Sequence, residues 1–265
     1  IKKTWKMNKN FFICGNGGSG ANAIHIANDF LYGAGISNKR GLKVESLTSN
    51  PAVLTCLAND IGYEKIFSEQ KGISIKSGRK KLTIFFSDIV SFTNITEQLE
   101  PEELTALLNY YLNEMSELAL EYGGTIDKFM GDCIMAFWNA PIENNKHRDM
   151  AIKSAIEMQV ALKELNTQLM TEGLPEINIG IGINTGEALV GNMGSEQRFD
   201  YSVIGDAVNL ASRLESSSKT LGKTLVIGDS TVKGVEKDYN FEFVDEITVK
   251  GKSEKVKVYT INNFR

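Results

Sequence analysis

The spacing of apolar residues changes repeatedly between residues 82 and 184, and the order of these changes limits the folds open to the chain. Apolar runs of strand length occupy residues 82–87, 125–130, 133–138 and 177–184, and helical spacing covers residues 101–122 and 147–169. Pro101 suits a first helical turn, and Gly123 and Gly124 end that helix. The order is therefore strand, helix, strand, strand, helix, strand.

This order is that of a ferredoxin-like α/β sandwich, a βαββαβ fold with mixed helices and strands. Residues 125–138 predict a tight hairpin whose turn contains Gly131 and Asp132. We expect the first strand to pair with the first strand of this hairpin at the sheet centre. Asp88, which follows the first strand, and Asp132 are then neighbours at one end of the sheet.

Two carboxylates at neighbouring strand ends can share a pair of divalent cations and hold a nucleotide triphosphate between them. Taken separately, Asp88 is also typical of a helix cap and Asp132 of an ordinary turn. Together, with Ser87 before one and Gly131 before the other, they favour a metal site. The pair predicts a phosphoryl-transfer enzyme.

A further helix begins at Asp206 and carries two polar residues, Asn209 and Arg213, four positions apart. Residues at i and i+4 lie on one face of a helix, so the amide and the guanidinium stack there. An arginine offers a planar fork of donors to phosphate oxygens, which makes this pair a candidate clamp for a ribose and a phosphate. The alternative is a solvated polar face.

Composition excludes several other classes of protein. The net charge of −4 and the scattered lysines provide no basic surface for nucleic acid. The three cysteines lack the spacing of a zinc site or a disulfide framework, which indicates free thiols in a reducing cytoplasm. No apolar run approaches the roughly 18–20 residues of a membrane span, so we expect no membrane contact from this chain. It starts at Ile1 rather than methionine, as a piece of a longer protein would.

The first seventy or so residues differ from the rest, since they alternate strand and helix as in half of a Rossmann-like, flavodoxin-like α/β unit. A glycine loop, residues 15–20, joins the first strand to a helix and leaves backbone N–H groups for a phosphate. A tight turn that binds nothing fits the same spacing. We divide the chain into an N-terminal segment (1–70), a linker (71–79) and a main domain (80–265).

The main domain resembles the class III nucleotidyl cyclases, the adenylyl and guanylyl cyclases, over its whole length. The motifs that carry the resemblance are FSDIVSFT (86–93), GTIDKFMGD (124–132), GINTG (182–186), FDYSVIGDAVNLASRLE (199–215) and VKGK (249–252). The resemblance implies conversion of ATP to 3′,5′-cyclic AMP and pyrophosphate, with cyclic-nucleotide signalling as the purpose.

The resemblance also implies roles for individual residues. Asp88 and Asp132, with the carbonyl of Ile89, would bind two Mg²⁺ or Mn²⁺ ions, one activating the ribose 3′-hydroxyl and one holding the triphosphate. The other implied roles are adenine recognition by Lys128 and Ser202, ribose orientation by Asn209, stabilisation of phosphorus charge by Arg213, and binding of the terminal phosphates by Lys250. In this family a site combines residues from two subunits, which implies a homodimer.

Ser202 departs from the aspartate or threonine that is common at its position in adenylyl cyclases. Because a hydroxyl both accepts and donates, the choice of purine stays open at this residue, while Lys128 favours adenine. A guanylate cyclase and a silent nucleotide-binding dimerisation module are therefore the alternatives to an adenylate cyclase.

The N-terminal segment resembles the first part of phosphoheptose isomerases and related sugar-isomerase (SIS) domains over residues 8–70. The loop CGNGGS (14–19) carries this resemblance, which implies that Asn16 and Ser19 contact a sugar phosphate. His25 and Asp29 occupy positions that bind zinc in many members. The second half of that domain is absent, so we predict a remnant without isomerase activity.

Overall fold

The structure, a computed structural model, divides the chain into two compact units, Ile1–Ile75 and Lys76–Arg265. It describes residues 10–16, 18–33, 43–63, 66–67, 70, 77–195, 198–248 and 255–261. Most of the predicted linker lies outside these ranges. None of the helices within them is both long and apolar enough to cross a membrane.

The N-terminal unit pairs two short parallel strands beside helices. Strand β1 (Asn10–Ile13) pairs with β2 (Lys43–Ser46), and Phe11 lies opposite Val44. Helix α1 (Gly18–Asn28) continues into a π-helical turn, Asp29–Gly33, and α2 (Pro51–Ile61) follows β2. The parallel pair fits a small α/β segment.

The second unit contains the predicted βαββαβ order with longer outer strands. Its first part comprises β3 (Gly78–Ile89), α3 (Phe92–Thr96), α4 (Pro101–Glu121), β4 (Thr125–Met130), β5 (Cys133–Trp138) and α5 (His147–Thr171). Its second part comprises β6 (Ile179–Ser195), β7 (Arg198–Ile204), α6 (Asp206–Leu221), β8 (Leu225–Gly228), α7 (Asp229–Val232), β9 (Glu242–Thr248) and β10 (Lys255–Thr260). The resulting mixed α/β sheet has the strand order β4-β5-β3-β6-β8-β10-β9, and β7 pairs with β6.

The pairing of the first strand corrects one prediction. β3 pairs with the second hairpin strand, β5, and not with the first, β4. The hairpin turn nevertheless reaches the end of β3, because β5 starts directly after that turn and runs antiparallel to β3, with Ser87 opposite Ile134. Asp88 and Asp132 therefore approach each other from adjacent strands, as expected.

Side chains of β3 alternate between two hydrophobic cores, one on each face of the sheet. Phe85 and Ile89 pack with α4 and α5 on one face. Leu82, Ile84 and Phe86 pack on the other face with residues of α6. Because both faces are covered, the central strand is fixed in position and its polar end is held at a defined place.

Candidate active site

The carboxyl groups of Asp88 and Asp132 lie together at the end of β3. The backbone N–H of Ile89 donates to Asp132 Oδ2 at 2.9 Å, which ties the hairpin turn to the strand end. Gly131 takes a φ of +68° in this turn, a conformation that glycine adopts without strain. Asp132 is 9% exposed, so a carboxylate is largely removed from water here.

Electrostatics at this pair oppose ionisation of both carboxyls at once. Burial, a hydrogen bond with Asp132 and the negative charges of Asp132 and Glu215 raise the pKa of Asp88 to about 8. Burial, with Asp88 as a further cause, likewise raises the pKa of Cys133 to about 12, which keeps this thiol neutral. The two carboxyls and Glu215 thus concentrate negative charge at this end of the sheet, and a bound cation would balance it.

The donor set fits a hard divalent cation. Asp88 Oδ1 is buried and has no hydrogen-bond partner in the structure. This oxygen is therefore available to coordinate a cation. No group of three or more His, Cys, Asp or Glu side chains suited to a metal occurs in the described part of the chain. Mg²⁺ is commonly bound by one or two carboxylates together with substrate phosphates and water, which is the set that this pair would complete.

A buried hydrogen bond joins the end of β3 to helix α4. Ser87 Oγ lies 2.9 Å from the hydroxyl of Tyr111, which projects from α4, and both residues are fully buried. Burial raises the pKa of Tyr111, so the phenol stays neutral. Sequence reasoning did not predict this contact, which holds the strand that carries Asp88.

Lys128 and Ser202 are brought together through a residue that the motif contained without an assigned role, Asp127. Ser202 Oγ donates to Asp127, at 2.9 Å from Oδ1 and 2.8 Å from Oδ2. Lys128 Nζ lies 3.2 Å from Asp127 Oδ1. Ser202 is 4% exposed, whereas the side chain of Lys128 is 44% exposed. The two predicted adenine contacts thus share one carboxylate.

Asn209 and Arg213 occupy successive turns of α6, as their spacing indicated. Asn209 is exposed and Arg213 is half-buried. The opposite side of α6 is buried through Ala207, Val208 and Ala211. Lys250, the predicted ligand of the terminal phosphates, lies outside the described residues.

Asn16 and Ser19, the predicted sugar-phosphate contacts of the N-terminal unit, contact each other. Ser19 Oγ donates to the carbonyl of Asn16 at 2.7 Å and accepts from its N–H at 2.9 Å. The serine therefore closes the turn before α1. His25 and Asp29 are both exposed.

Comparison with known proteins matches residues 75–263 to the family described as the adenylate and guanylate cyclase catalytic domain. This match does not extend to residues 8–70, where the likeness to sugar isomerases was expected. Adenylate cyclase 1 of Rhizobium meliloti (strain 1021) is 35% identical over 183 residues, which cover 69% of this chain and 28% of that protein. The chain therefore spans less than a third of that relative.

Solved structures include relatives of both nucleotide types. The adenylyl cyclase CyaB from P. aeruginosa is 44% identical with a TM-score of 0.68, covering 72% of this chain and 97% of that one. The guanylyl cyclase Cya2 is 36% identical with a TM-score of 0.65, covering 70% of this chain and 93% of that one. The two types share the fold, so the fold does not determine which nucleotide is used.

Proposed function

The chain belongs to the family of adenylate and guanylate cyclase catalytic domains, and from this premise we propose that it is an adenylate cyclase, which converts ATP to 3′,5′-cyclic AMP and pyrophosphate. The observation that carries the proposal is the adjacent pair of half-buried Asp88 and buried Asp132, with a buried, unpartnered oxygen and a strongly raised pKa at Asp88. Such a pair lacks only cations and phosphates to become a phosphoryl-transfer site.

Asp88 and Asp132, with the carbonyl of Ile89, would hold two Mg²⁺ or Mn²⁺ ions. The chemistry that such ions supply when bound is a lower pKa for the ribose 3′-hydroxyl and compensation of charge on the departing pyrophosphate. In the reaction the 3′-oxygen bonds to the α-phosphorus, the bond from that phosphorus to the bridging oxygen breaks, and the hydroxyl proton leaves to solvent.

The remaining residues of the site act by binding and orientation. Lys128 donates to the adenine ring nitrogen, and Asn209 fixes the ribose so that its 3′-oxygen faces the α-phosphate. Arg213 stabilises the negative charge that grows on the phosphate oxygens. Lys250 holds the terminal phosphates. Each of these groups is a donor, which suits a polyanionic substrate.

We further propose that two copies of the chain form a homodimer that shares its sites. Phe129 and Met130, beside Lys128, are 49% and 46% exposed, and Ile204, two residues after Ser202, is 54% exposed. Apolar side chains that gather around predicted binding residues indicate a surface that another protein covers. A second copy would bring its Asp88 and Asp132 to the purine side of the first.

A guanylate cyclase remains the second candidate, because the similar structures include one and because a serine hydroxyl can serve either purine. Purified protein with Mn²⁺ and either ATP or GTP, followed by chromatography of the products, separates the two. We expect cyclic AMP as the main product. If cyclic GMP were the main product, the chain would be a guanylate cyclase instead. If neither product formed, the silent nucleotide-binding dimerisation module would be the remaining candidate.

For the N-terminal unit we propose no catalytic role. The hydroxyl of Ser19 already closes its own loop, and the predicted zinc positions are exposed. Location in the cytoplasm also stays a prediction from the cysteine usage.

A further inference from the structure

Asp127 is a charged residue whose side chain has no access to solvent. Its exposed fraction is 0%, although it lies on β4 next to the exposed Lys128. A buried carboxylate is costly unless every oxygen is hydrogen-bonded or paired. Asp127 meets this condition with donors from Ser202 Oγ, the backbone N–H of Val203 at 3.1 Å and the Lys128 ammonium.

A β-bulge explains how this side chain leaves the ordinary strand alternation. Ile126 pairs with Ala136 and Lys128 with Met135, so Asp127 is the extra residue with no partner on β5. A bulge bends the strand and redirects the side chain at that point. Asp127 can therefore reach β7, where Ser202 lies opposite Gly191 of β6.

The contact fixes the direction of a proton. A serine hydroxyl has one proton and two lone pairs, and an ionised carboxylate can only accept. Because both oxygens of Asp127 lie within 2.9 Å of Ser202 Oγ, the hydroxyl proton points to Asp127. The lone pairs of Ser202 are then all that it can offer to a base.

An acceptor at this position distinguishes the two purines. The amino group at C6 of adenine donates hydrogen bonds, whereas the oxygen at C6 of guanine accepts them. Lys128 donates only, and it suits the unprotonated N1 of adenine. Guanine would place its oxygen against the lone pairs of Ser202 and its N1–H toward the ammonium.

We propose that Asp127 is a positioning residue for purine selection: it holds the Ser202 hydroxyl as an acceptor and thereby makes the site select adenine over guanine. This inference rests on the proposed cyclase function and assigns its specificity to a residue that touches no substrate. Asp127 also restrains the Lys128 ammonium, so the two base contacts keep a fixed separation.

The test is the ratio of kcat/KM for ATP to that for GTP in Asp127→Asn. The amide donates to Ser202 and releases the hydroxyl proton toward the base, so the ratio should fall about tenfold, as expected for one misdirected hydrogen bond. In a Ser202→Ala background, Asp127→Asn should lower the ratio by clearly less than tenfold, because only its contact with Lys128 then remains to be lost. Equal losses for ATP and GTP in the single variant would show a merely structural role and overturn the proposal.

Asp149→Asn is the matched control. Asp149, on α5, is another largely buried carboxylate, which accepts from Tyr239 at 2.5 Å and from Lys153 at 2.9 Å. Its replacement removes a charge from a hydrogen-bonded network without altering either base contact, so the ATP to GTP ratio should stay that of the wild type. A similar fall in this variant would attribute the effect to general loss of stability and contradict the proposal.

A measurement on the wild type covers the case in which Asp127→Asn does not fold. Purine riboside triphosphate keeps the N1 acceptor but has hydrogen at C6, so it lacks only the donor that Ser202 should accept. Wild type should prefer ATP over it by about tenfold, and Ser202→Ala should lose that preference. Equal values of kcat/KM for ATP and purine riboside triphosphate in the wild type would contradict the inference.

These outcomes also separate the inference from its premise. A wild type that makes no cyclic nucleotide removes the proposed function. A wild type that makes cyclic AMP, with an unchanged ratio in Asp127→Asn, removes only the role of Asp127.

Discussion

His147 lies buried at the first position of α5, where it joins a chain of hydroxyl groups. Its Nδ1 is 2.7 Å from Thr83 Oγ1, which lies 2.9 Å from Thr185 Oγ1, and Thr185 lies 3.0 Å from Thr231 Oγ1. These polar groups connect α5, β3, β6 and α7 inside the domain. A buried network of this kind stabilises the fold only while every member keeps its partner.

The protonation of His147 should make stability depend on pH. Burial first, and then the charges of Arg148 and Lys81, lower the pKa of His147 from 6.5 to about 4 in the folded state. Between these values the unfolded chain binds the proton more readily, so the free energy of unfolding falls as pH drops from 6.5 towards 4. The slope from one such group is at most about 1.4 kcal/mol per pH unit.

Urea unfolding at pH 7, 6 and 5 measures this effect, with His147→Asn as the comparison, since an amide can still bond to Thr83. The variant should show a shallower loss of stability than the wild type below pH 6.5. Parallel pH curves for the two proteins would show that His147 does not contribute.

At the scale of single residues, the sequence identified the site residues whose role follows from their place at the end of a strand or on one face of a helix. Asp88 and Asp132 were found because each ends or begins an apolar strand. Asp127 was not, because its role depends on a bulge that turns its side chain from the expected face. Tyr111 lies in a helix that was predicted from apolar spacing, and such spacing cannot show that its hydroxyl meets Ser87.

At the scale of elements, helix α6 lies unusually close to strand β6. A Cβ on Gly182 would lie 2.2 Å from the backbone nitrogen of Glu215 and 2.5 Å from the carbonyl oxygen of Ala211. The glycine thus permits a close backbone approach. Because α6 carries Asn209 and Arg213, this approach also determines where these side chains project.

Gly182→Ala should therefore push α6 away from the sheet. We expect a loss of about 1–3 kcal/mol in the free energy of unfolding, as for overpacked cores, together with a large fall in cyclase activity. Denaturant unfolding and turnover of ATP measure the two effects.

Gly78→Ala is the control for this substitution, since no heavy atom lies within 4 Å of a Cβ built there. It should retain both stability and activity. If Gly182→Ala behaved like this control, the close packing of α6 would not be needed for the site.

The order of elements was predictable because the change between periods of two and 3.6 residues is visible in the sequence. The limits of β4 and β5 agree with the prediction to the residue. The predicted partner of β3 was wrong, because the apolar pattern does not specify which of the two hairpin strands lies beside β3. Residues 191–194 lie in β6 and pair with β7.

At the scale of the whole molecule, the proposed site is complete only when two chains combine. The metal-binding carboxylates of one copy would face the base-binding residues and α6 of the other. A site divided in this way makes activity depend on association, so it should also depend on protein concentration.

The most direct test of this account is the rate of cyclic AMP formation from ATP by a mixture of Asp88→Ala and Arg213→Ala chains. Each variant alone should be inactive, because each homodimer lacks either the metal ligand or the phosphate ligand in both sites. An equal mixture after exchange of subunits should recover roughly a quarter of the wild-type rate, since half of the dimers then contain one intact site. Full activity of Asp88→Ala alone, or no recovery in the mixture, would contradict the account.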